Sequence, residues 1–91
     1  MSDPLGKSDR GYGTDHNLVN DFANDMFAKL RINKHKAHWS TVTNKWLFDR
    51  LIEEAEELRA AMVEGKSPED IIAEAADVAN FAAMIADNLR N

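Results

Sequence analysis

Residues 44–90 of the chain read NKWLFDRLIEEAEELRAAMVEGKSPEDIIAEAADVANFAAMIADNLR. The stretch holds two runs of apolar side chains at three- and four-residue spacing, which is the pattern of amphipathic helices. We predict these helices over residues 44–64 and 68–89. Between them, Gly65 suits the left-handed residue that ends a helix, and Ser67-Pro68 suits an N-cap followed by a first-turn proline. The stretch therefore predicts a helical hairpin.

The rest of the chain adds one more predicted helix. Apolar residues recur at helical spacing over residues 15–31, whereas residues 32–43 lack a period and predict a loop or a short helical turn. Residues 1–14 are rich in glycine and polar side chains and predict a flexible arm. We expect an all-α fold, a compact helical bundle formed by residues 15–91. The last helix is apolar around most of its circumference, which predicts that a second subunit covers it.

The composition limits the classes of function. With 91 residues the chain has room for one small domain, and with no cysteine it has no disulfide, cysteine-ligated zinc, iron–sulfur cluster or thiol nucleophile. The net charge of −5 disfavours a nucleic-acid polymer as partner. No apolar leader or membrane-spanning run is present, so we expect no membrane partner and a cytoplasmic location.

Acidic side chains lie where a helical protein usually buries apolar ones. Placed at about 100° per residue, Glu54 lies inside the apolar sector of its helix, and Glu57 lies one turn further on the flank of that sector. On the last helix, Glu74 and Asp77 form a second pair at the same spacing. In an antiparallel hairpin the two pairs face each other. Such a cluster repels itself unless a divalent cation binds, and an all-carboxylate set suits Mg²⁺ or Mn²⁺.

An alternative interpretation of the same pattern is an ordinary surface ion-pair network. In that case the acidic side chains are neutralised by basic residues of the helices, namely Lys45, Arg50, Arg59 or Arg90. The expected burial of Glu54 argues against it, because an unpaired charge in the core is costly.

Three segments together resemble one family. Glu53-Glu54-Ala55-Glu56-Glu57, followed by Glu74-Ala75-Ala76-Asp77, is similar to the EExxE…ExxD signature of the MazG-like, all-α nucleoside triphosphate pyrophosphatases. Residues 33–39 resemble the N-x-H-K-G-x-W segment of small members, with Ala37 in place of glycine. Residues 77–87 resemble their D-V-A-N-F-A-M-M-I-A-D run, with Ala83 in place of methionine. The resemblance covers about residues 17–90.

The resemblance implies an enzyme that hydrolyses (d)NTPs to the monophosphate and pyrophosphate by a metal-activated water that attacks the α-phosphorus. It implies that Mg²⁺, or Mn²⁺, is held by Glu54, Glu57, Glu74 and Asp77. It also implies a homo-oligomer, a dimer or a tetramer, with the nucleotide between subunits. Our hypothesis for the residue that orients or deprotonates the attacking water is Glu53.

The remaining site predictions concern the nucleotide. The candidates for phosphate binding are Lys34, Lys36 and Arg50, and Trp39 is the candidate for stacking on a base. Phe81, between the two acids of the last helix, is predicted to line the pocket, whereas Trp46 and Phe48 are predicted to pack. A purine substrate such as dGTP is weakly favoured, because a short chain without an insertion between its helices suits an open pocket.

Two alternatives remain open at the level of sequence. A carboxylate-bridged di-iron or di-manganese bundle needs a Glu-x-x-His on each of two helices, and this chain has acids where those histidines would be. A non-catalytic helical dimer, acting as an interaction or regulatory module, leaves the acids on the surface. The dimer predicts that divalent metal has no effect on stability.

Overall fold

The computed structural model describes residues 14–32 and 38–90. Its elements are α1 (Asp15–Ile32), a 3₁₀ turn (Trp39–Thr41), α2 (Asn44–Val63) and α3 (Pro68–Arg90). No strand occurs in these two ranges, so the predicted all-α class is confirmed. The helices begin at the predicted residues and end within one residue of the predicted positions. Apart from Thr14, the predicted N-terminal arm lies outside the described residues.

Each helix begins at a hydroxyl side chain that accepts a hydrogen bond from a backbone N–H of the first turn. The bonds join Thr14 Oγ1 to Asn17 N (3.2 Å), Thr43 Oγ1 to Trp46 N (3.0 Å) and Ser67 Oγ to Asp70 N (3.1 Å). These bonds satisfy donors that have no partner within the helix, and so they fix where each helix starts.

The turn between α2 and α3 is closed by Gly65, whose φ is 70°. The N–H of Lys66 donates to Ala61 O at 3.0 Å, and that of Gly65 donates to Met62 O at 3.2 Å. This pair of bonds is the Schellman arrangement, which requires a left-handed residue at the glycine position. The tight turn brings α3 back along α2, and these two helices form the most extensive interface among the described elements.

Helix α3 is the central element, because it contacts α1, α2 and the 3₁₀ turn. The buried apolar core is small and consists of Leu47, Ala61 and Ala76, of which Leu47 is 1% exposed. Many large apolar side chains stay at the surface of the single chain: Leu18, Val19, Phe27, Ile32, Trp46, Phe48, Ile52, Met62, Val63, Ile72 and Leu89. The packing predicted for Trp46 and Phe48 is therefore wrong within one chain, where both are about half exposed.

Among the described helices, none combines the length and the apolar character that crossing a membrane requires.

Candidate metal centre

Three carboxylates converge between α2 and α3. Glu54 and Glu57 lie one turn apart on α2, and Glu74 faces them from α3. One oxygen of each lies within 4.8 Å of the others, and this is the group in the described part of the chain with metal-ligand spacing. The predicted burial of Glu54 is confirmed, since the residue is 7% exposed. Glu74 is half-buried and Glu57 is exposed, so the cluster opens toward solvent on one side.

The fourth predicted ligand, Asp77, lies beside this group but outside it. Its Oδ2 is 3.3 Å from Lys29 Nζ, which reaches it from α1. The charge of Asp77 still acts on the cluster, because it raises the pKa of both Glu54 and Glu74. The structure thus brings together three of the four predicted ligands and pairs the fourth with a lysine.

The cluster is electrostatically unfavourable without a cation. Burial raises the pKa of Glu54, and the charges of Glu57 and Asp77 raise it further, while Arg50 acts in the opposite direction. Burial likewise raises the pKa of Glu74, again with the charges of Glu57 and Asp77, while Lys29 lowers it. Desolvation and like charges both disfavour ionised carboxylates, so a bound cation would relieve both.

One oxygen of the cluster has no hydrogen-bond partner. Glu74 Oε1 is buried and unpaired in the described structure, whereas buried carboxylate oxygens normally accept at least one hydrogen bond. A free oxygen among convergent carboxylates fits a hard divalent cation, which takes oxygen ligands only. The donor set therefore fits Mg²⁺ or Mn²⁺ and offers no nitrogen or sulfur ligand for a softer metal.

Arg50 borders the cluster and joins it to an aromatic side chain. Its Nη2 donates to Glu54 Oε2 at 3.2 Å, and its Nη1 pairs with Glu53, which is exposed. The guanidinium lies over the ring of Phe81, 5.4 Å from the ring centre. Part of the surface network considered as an alternative is therefore present, because Arg50 neutralises one of the cluster's carboxylates.

A cavity of about 530 Å³ adjoins these residues and shares Arg50 and Asp77 with the acidic site. Four aromatic side chains line it: Phe27, Trp39, Trp46 and Phe81. The polar and charged lining residues are Arg31, His38, Arg50, Asp77 and Asn80, and the others are Leu30, Val42, Leu47 and Met84. A volume of this size lies in the range of small-molecule sites, in which a few polar groups orient a ligand against apolar walls.

Trp39 is held in the wall of this cavity by the C-terminal part of α3. Its Nε1 donates to Asp87 Oδ2 at 2.9 Å, and its carbonyl accepts from Asn88 Nδ2 at 3.3 Å. The His38 ring stacks on the indole with 4.0 Å between ring centres. The indole is thereby fixed before any ligand binds.

The other predicted nucleotide-binding residues divide into two groups. Arg50 and Phe81 line the cavity with Trp39, whereas Lys34 and Lys36 lie outside the described residues. Three residues outside the predicted site set also border the site: Trp46, which was predicted to pack, and Asn80 line the cavity, and Lys29 pairs with Asp77. Asn80 is 4% exposed and donates from Nδ2 to Met26 O of α1 at 3.0 Å.

Comparisons with protein-family models, curated proteins and solved structures find no match to this chain.

Proposed function

We propose that this protein is a metal-dependent nucleoside triphosphate pyrophosphohydrolase, which converts a (d)NTP to the (d)NMP and pyrophosphate. One observation carries the proposal: three carboxylates from two helices converge within 4.8 Å beside an aromatic cavity of about 530 Å³. The first feature suits a divalent cation and the second suits a flat organic group. A nucleoside triphosphate joins both chemistries in one molecule, since its phosphates bind the cation and its base is aromatic.

The residues that would hold the cation are Glu54, Glu57 and Glu74, with Asp77 as the fourth. When bound there, a divalent ion would neutralise phosphate charge, lower the pKa of a water that attacks the α-phosphorus and stabilise the leaving pyrophosphate. The unpaired Oε1 of Glu74 supports this assignment, because coordination of this oxygen to the cation would give it a partner.

Glu53 and Arg50 would act at the edge of the cluster. Glu53 is exposed and fixed by its ion pair with Arg50, so its carboxylate can orient a water or accept its proton. Arg50 is partly exposed and lies between the carboxylates and the cavity, where its guanidinium can bind a phosphate oxygen.

The cavity would bind the base and sugar. Trp39 is fixed by Asp87, and Phe27, Trp46 and Phe81 complete the aromatic lining, so a base can stack at little cost in ordering. A large π surface favours a purine such as guanine, in keeping with the weak preference drawn from the sequence. The resemblance of the acidic motifs to the MazG-like pyrophosphatases supports the same activity.

Self-association is part of the proposal. The exposed apolar side chains of α1, α2 and α3 are numerous for so small a chain, and burial against a second copy would stabilise them. A dimer or tetramer would place further residues near the cavity.

The test is pyrophosphate release from each dNTP and NTP with Mg²⁺, with Mn²⁺ and with EDTA. Glu54→Gln is the test variant, and Glu56→Gln is its matched control, because Glu56 is an exposed glutamate of the same helix paired with Arg59. We expect metal-dependent release that Glu54→Gln reduces by about 10²-fold or more and Glu56→Gln leaves unchanged. Equal activity of the two variants would contradict the assignment.

The alternative is a non-catalytic helical dimer, which the exposed apolar surface also favours. It predicts no release from any nucleotide and a melting temperature that is indifferent to divalent metal. Both results together would replace the enzymatic proposal.

A further inference from the structure

Lys29 occupies a special place at the acidic site, because it comes from α1 while the carboxylates belong to α2 and α3. Its Nζ lies 3.3 Å from Asp77 Oδ2, and the side chains are only 26% and 18% exposed, respectively. Its charge also acts on Glu74, whose pKa it lowers. This cation is therefore part of the electrostatics of the site and not a solvated surface lysine.

The acidic site carries more negative charge than its two paired cations neutralise. Ionised Glu54, Glu57, Glu74 and Asp77 carry four negative charges. In the described structure, two cations pair with this set, Arg50 with Glu54 and Lys29 with Asp77. The two cations leave the set with net negative charge, which a divalent cation would reduce.

Arg50 and Lys29 differ in how readily they can move away from the carboxylates. The Arg50 guanidinium is held by two carboxylates and by the Phe81 ring. The Lys29 ammonium is a compact charge on a flexible four-carbon stem, whereas a guanidinium is a planar fork that binds carboxylates at two positions, and Asp77 Oδ2 is among the partners of Lys29. A divalent cation that used Asp77 would compete with Lys29 for the same carboxylate and would repel its charge.

We propose that Lys29 is an exchange cation. It pairs with Asp77 before metal binds, and its ammonium moves to pair with the phosphates of the substrate when a divalent cation binds Asp77. This inference rests on the proposed function. A triphosphate brings more negative charge than one divalent cation neutralises, and an ammonium is a common phosphate partner. Lys29 is thus a substrate-binding residue that also sets the metal affinity of the site.

The exchange predicts opposite effects on metal and on nucleotide when the charge is removed. In Lys29→Gln, Mn²⁺ alone, titrated by calorimetry without nucleotide, should bind about three- to tenfold more tightly, because a competing positive charge is gone. An uncleavable α,β-methylene triphosphate, titrated with saturating Mn²⁺, should bind about tenfold more weakly, because a phosphate contact is lost.

Two further variants make the test specific. Lys66→Gln is the matched control, since Lys66 is an exposed lysine paired with Glu64 beyond the end of α2, and both affinities should stay at the wild-type level. Lys29→Arg keeps the charge and can pair more firmly with Asp77, so Mn²⁺ should bind no more tightly than to the wild type. Lys29→Arg also serves as the folded comparison if Lys29→Gln proves unstable.

Two results would overturn the exchange. If Lys29→Gln binds Mn²⁺ and the analogue as Lys66→Gln does, or loses affinity for both in parallel, Lys29 has no exchange role. In either case a wild type that binds Mn²⁺ and releases pyrophosphate leaves the proposed function intact. A wild type that binds no Mn²⁺ and releases no pyrophosphate overturns both proposals.

Discussion

The hairpin of α2 and α3 and the first helix, α1, are built in different ways. The hairpin contains every buried residue in the described part of the chain, including Leu47, Glu54 and Asn80. Helix α1 has no buried residue, and it reaches α3 through Lys29 to Asp77 and through the Met26 carbonyl to Asn80. The hairpin is a scaffold for the carboxylates, whereas α1 supplies a cation and one wall of the cavity.

We expect the hairpin to be the more rigid region and α1 to be the more easily displaced one. Carboxylates that share a cation must be held in place, and two capped helices joined by a Schellman turn do so. A helix with no buried residue, such as α1, can shift at lower cost, and such elements often contact ligands. We therefore expect perturbations of the hairpin to change stability and metal binding, and those of α1 to change mainly nucleotide binding.

The largest effect should come from matched leucine truncations in the two regions. Leu47→Ala removes the one large side chain that is almost fully buried within residues 14–32 and 38–90, and the loss in unfolding free energy should be about 2–5 kcal/mol. Leu18→Ala removes an α1 side chain that is 70% exposed, and the loss should be below about 0.5 kcal/mol. Urea unfolding measures both. Equal losses would remove the contrast and would mean that a second subunit buries this part of α1.

Metal binding should stabilise the hairpin. At a free Mn²⁺ concentration about 100 times the Kd, the gain in unfolding free energy is about 2.7 kcal/mol if the unfolded chain does not bind. Thermal unfolding with Mn²⁺ and with EDTA measures it, and Glu54→Gln should lose most of the gain while Glu56→Gln keeps it. If the melting temperature of the wild type is the same with Mn²⁺ as with EDTA, the metal site is contradicted.

Helix caps offer a smaller comparison of the two regions. Ser67→Ala removes the cap of α3 and should cost about 1 kcal/mol, because fraying there disturbs packing against α2. Thr14→Ala removes the cap of α1 and should cost only a few tenths of a kcal/mol, because the first turn of α1 buries nothing. Chemical denaturation of both variants tests this order, and a reversed order would contradict it.

The smallest expected effect is a pH dependence confined to the hairpin. The pKa values of Glu54 and Glu74 are raised, mainly by burial, so the folded protein holds these protons more tightly than the unfolded chain. Their contribution to stability is complete below the ordinary glutamate value and is lost as the pH rises through the raised values. In EDTA, the melting temperature should therefore fall more in the wild type than in Glu54→Gln as the pH rises above the ordinary glutamate pKa.

With saturating Mg²⁺ the sign should reverse, because the metal binds the deprotonated carboxylates and its affinity rises with pH. Identical pH profiles for the wild type and Glu54→Gln in EDTA would show that Glu54 does not retain its proton.

Much of the hairpin could be predicted from the sequence. The helix starts at Asn44 and Pro68, the left-handed Gly65 and the burial of Glu54 all follow from local patterns. The convergence of Glu54, Glu57 and Glu74 was also predictable, because a short turn makes the two helices antiparallel neighbours. The two helix periods place these side chains on the inner faces.

The contacts across the fold could not be predicted. The pairing of Lys29 with Asp77, the bond from Asn80 to Met26 and the bond from Trp39 to Asp87 join residues far apart in the chain, by 54 positions for Asn80 and 48 for Trp39. Periodicity gives the face of a helix on which a residue lies, but not the helix that will cover that face. Asn80 shows the difference, since its position on α3 does not reveal that a carbonyl of α1, that of Met26, accepts its hydrogen bond.

Local sequence patterns specify the helices, their limits and the acidic pairs, because hydrogen bonds and capping act between residues that are close in the chain. Which cations meet the carboxylates, and that an aromatic cavity adjoins them, follows from the folded arrangement of the helices. Those features depend on how α1 and the 3₁₀ turn pack on α3, and that packing is fixed by the sum of many weak contacts between distant parts of the chain.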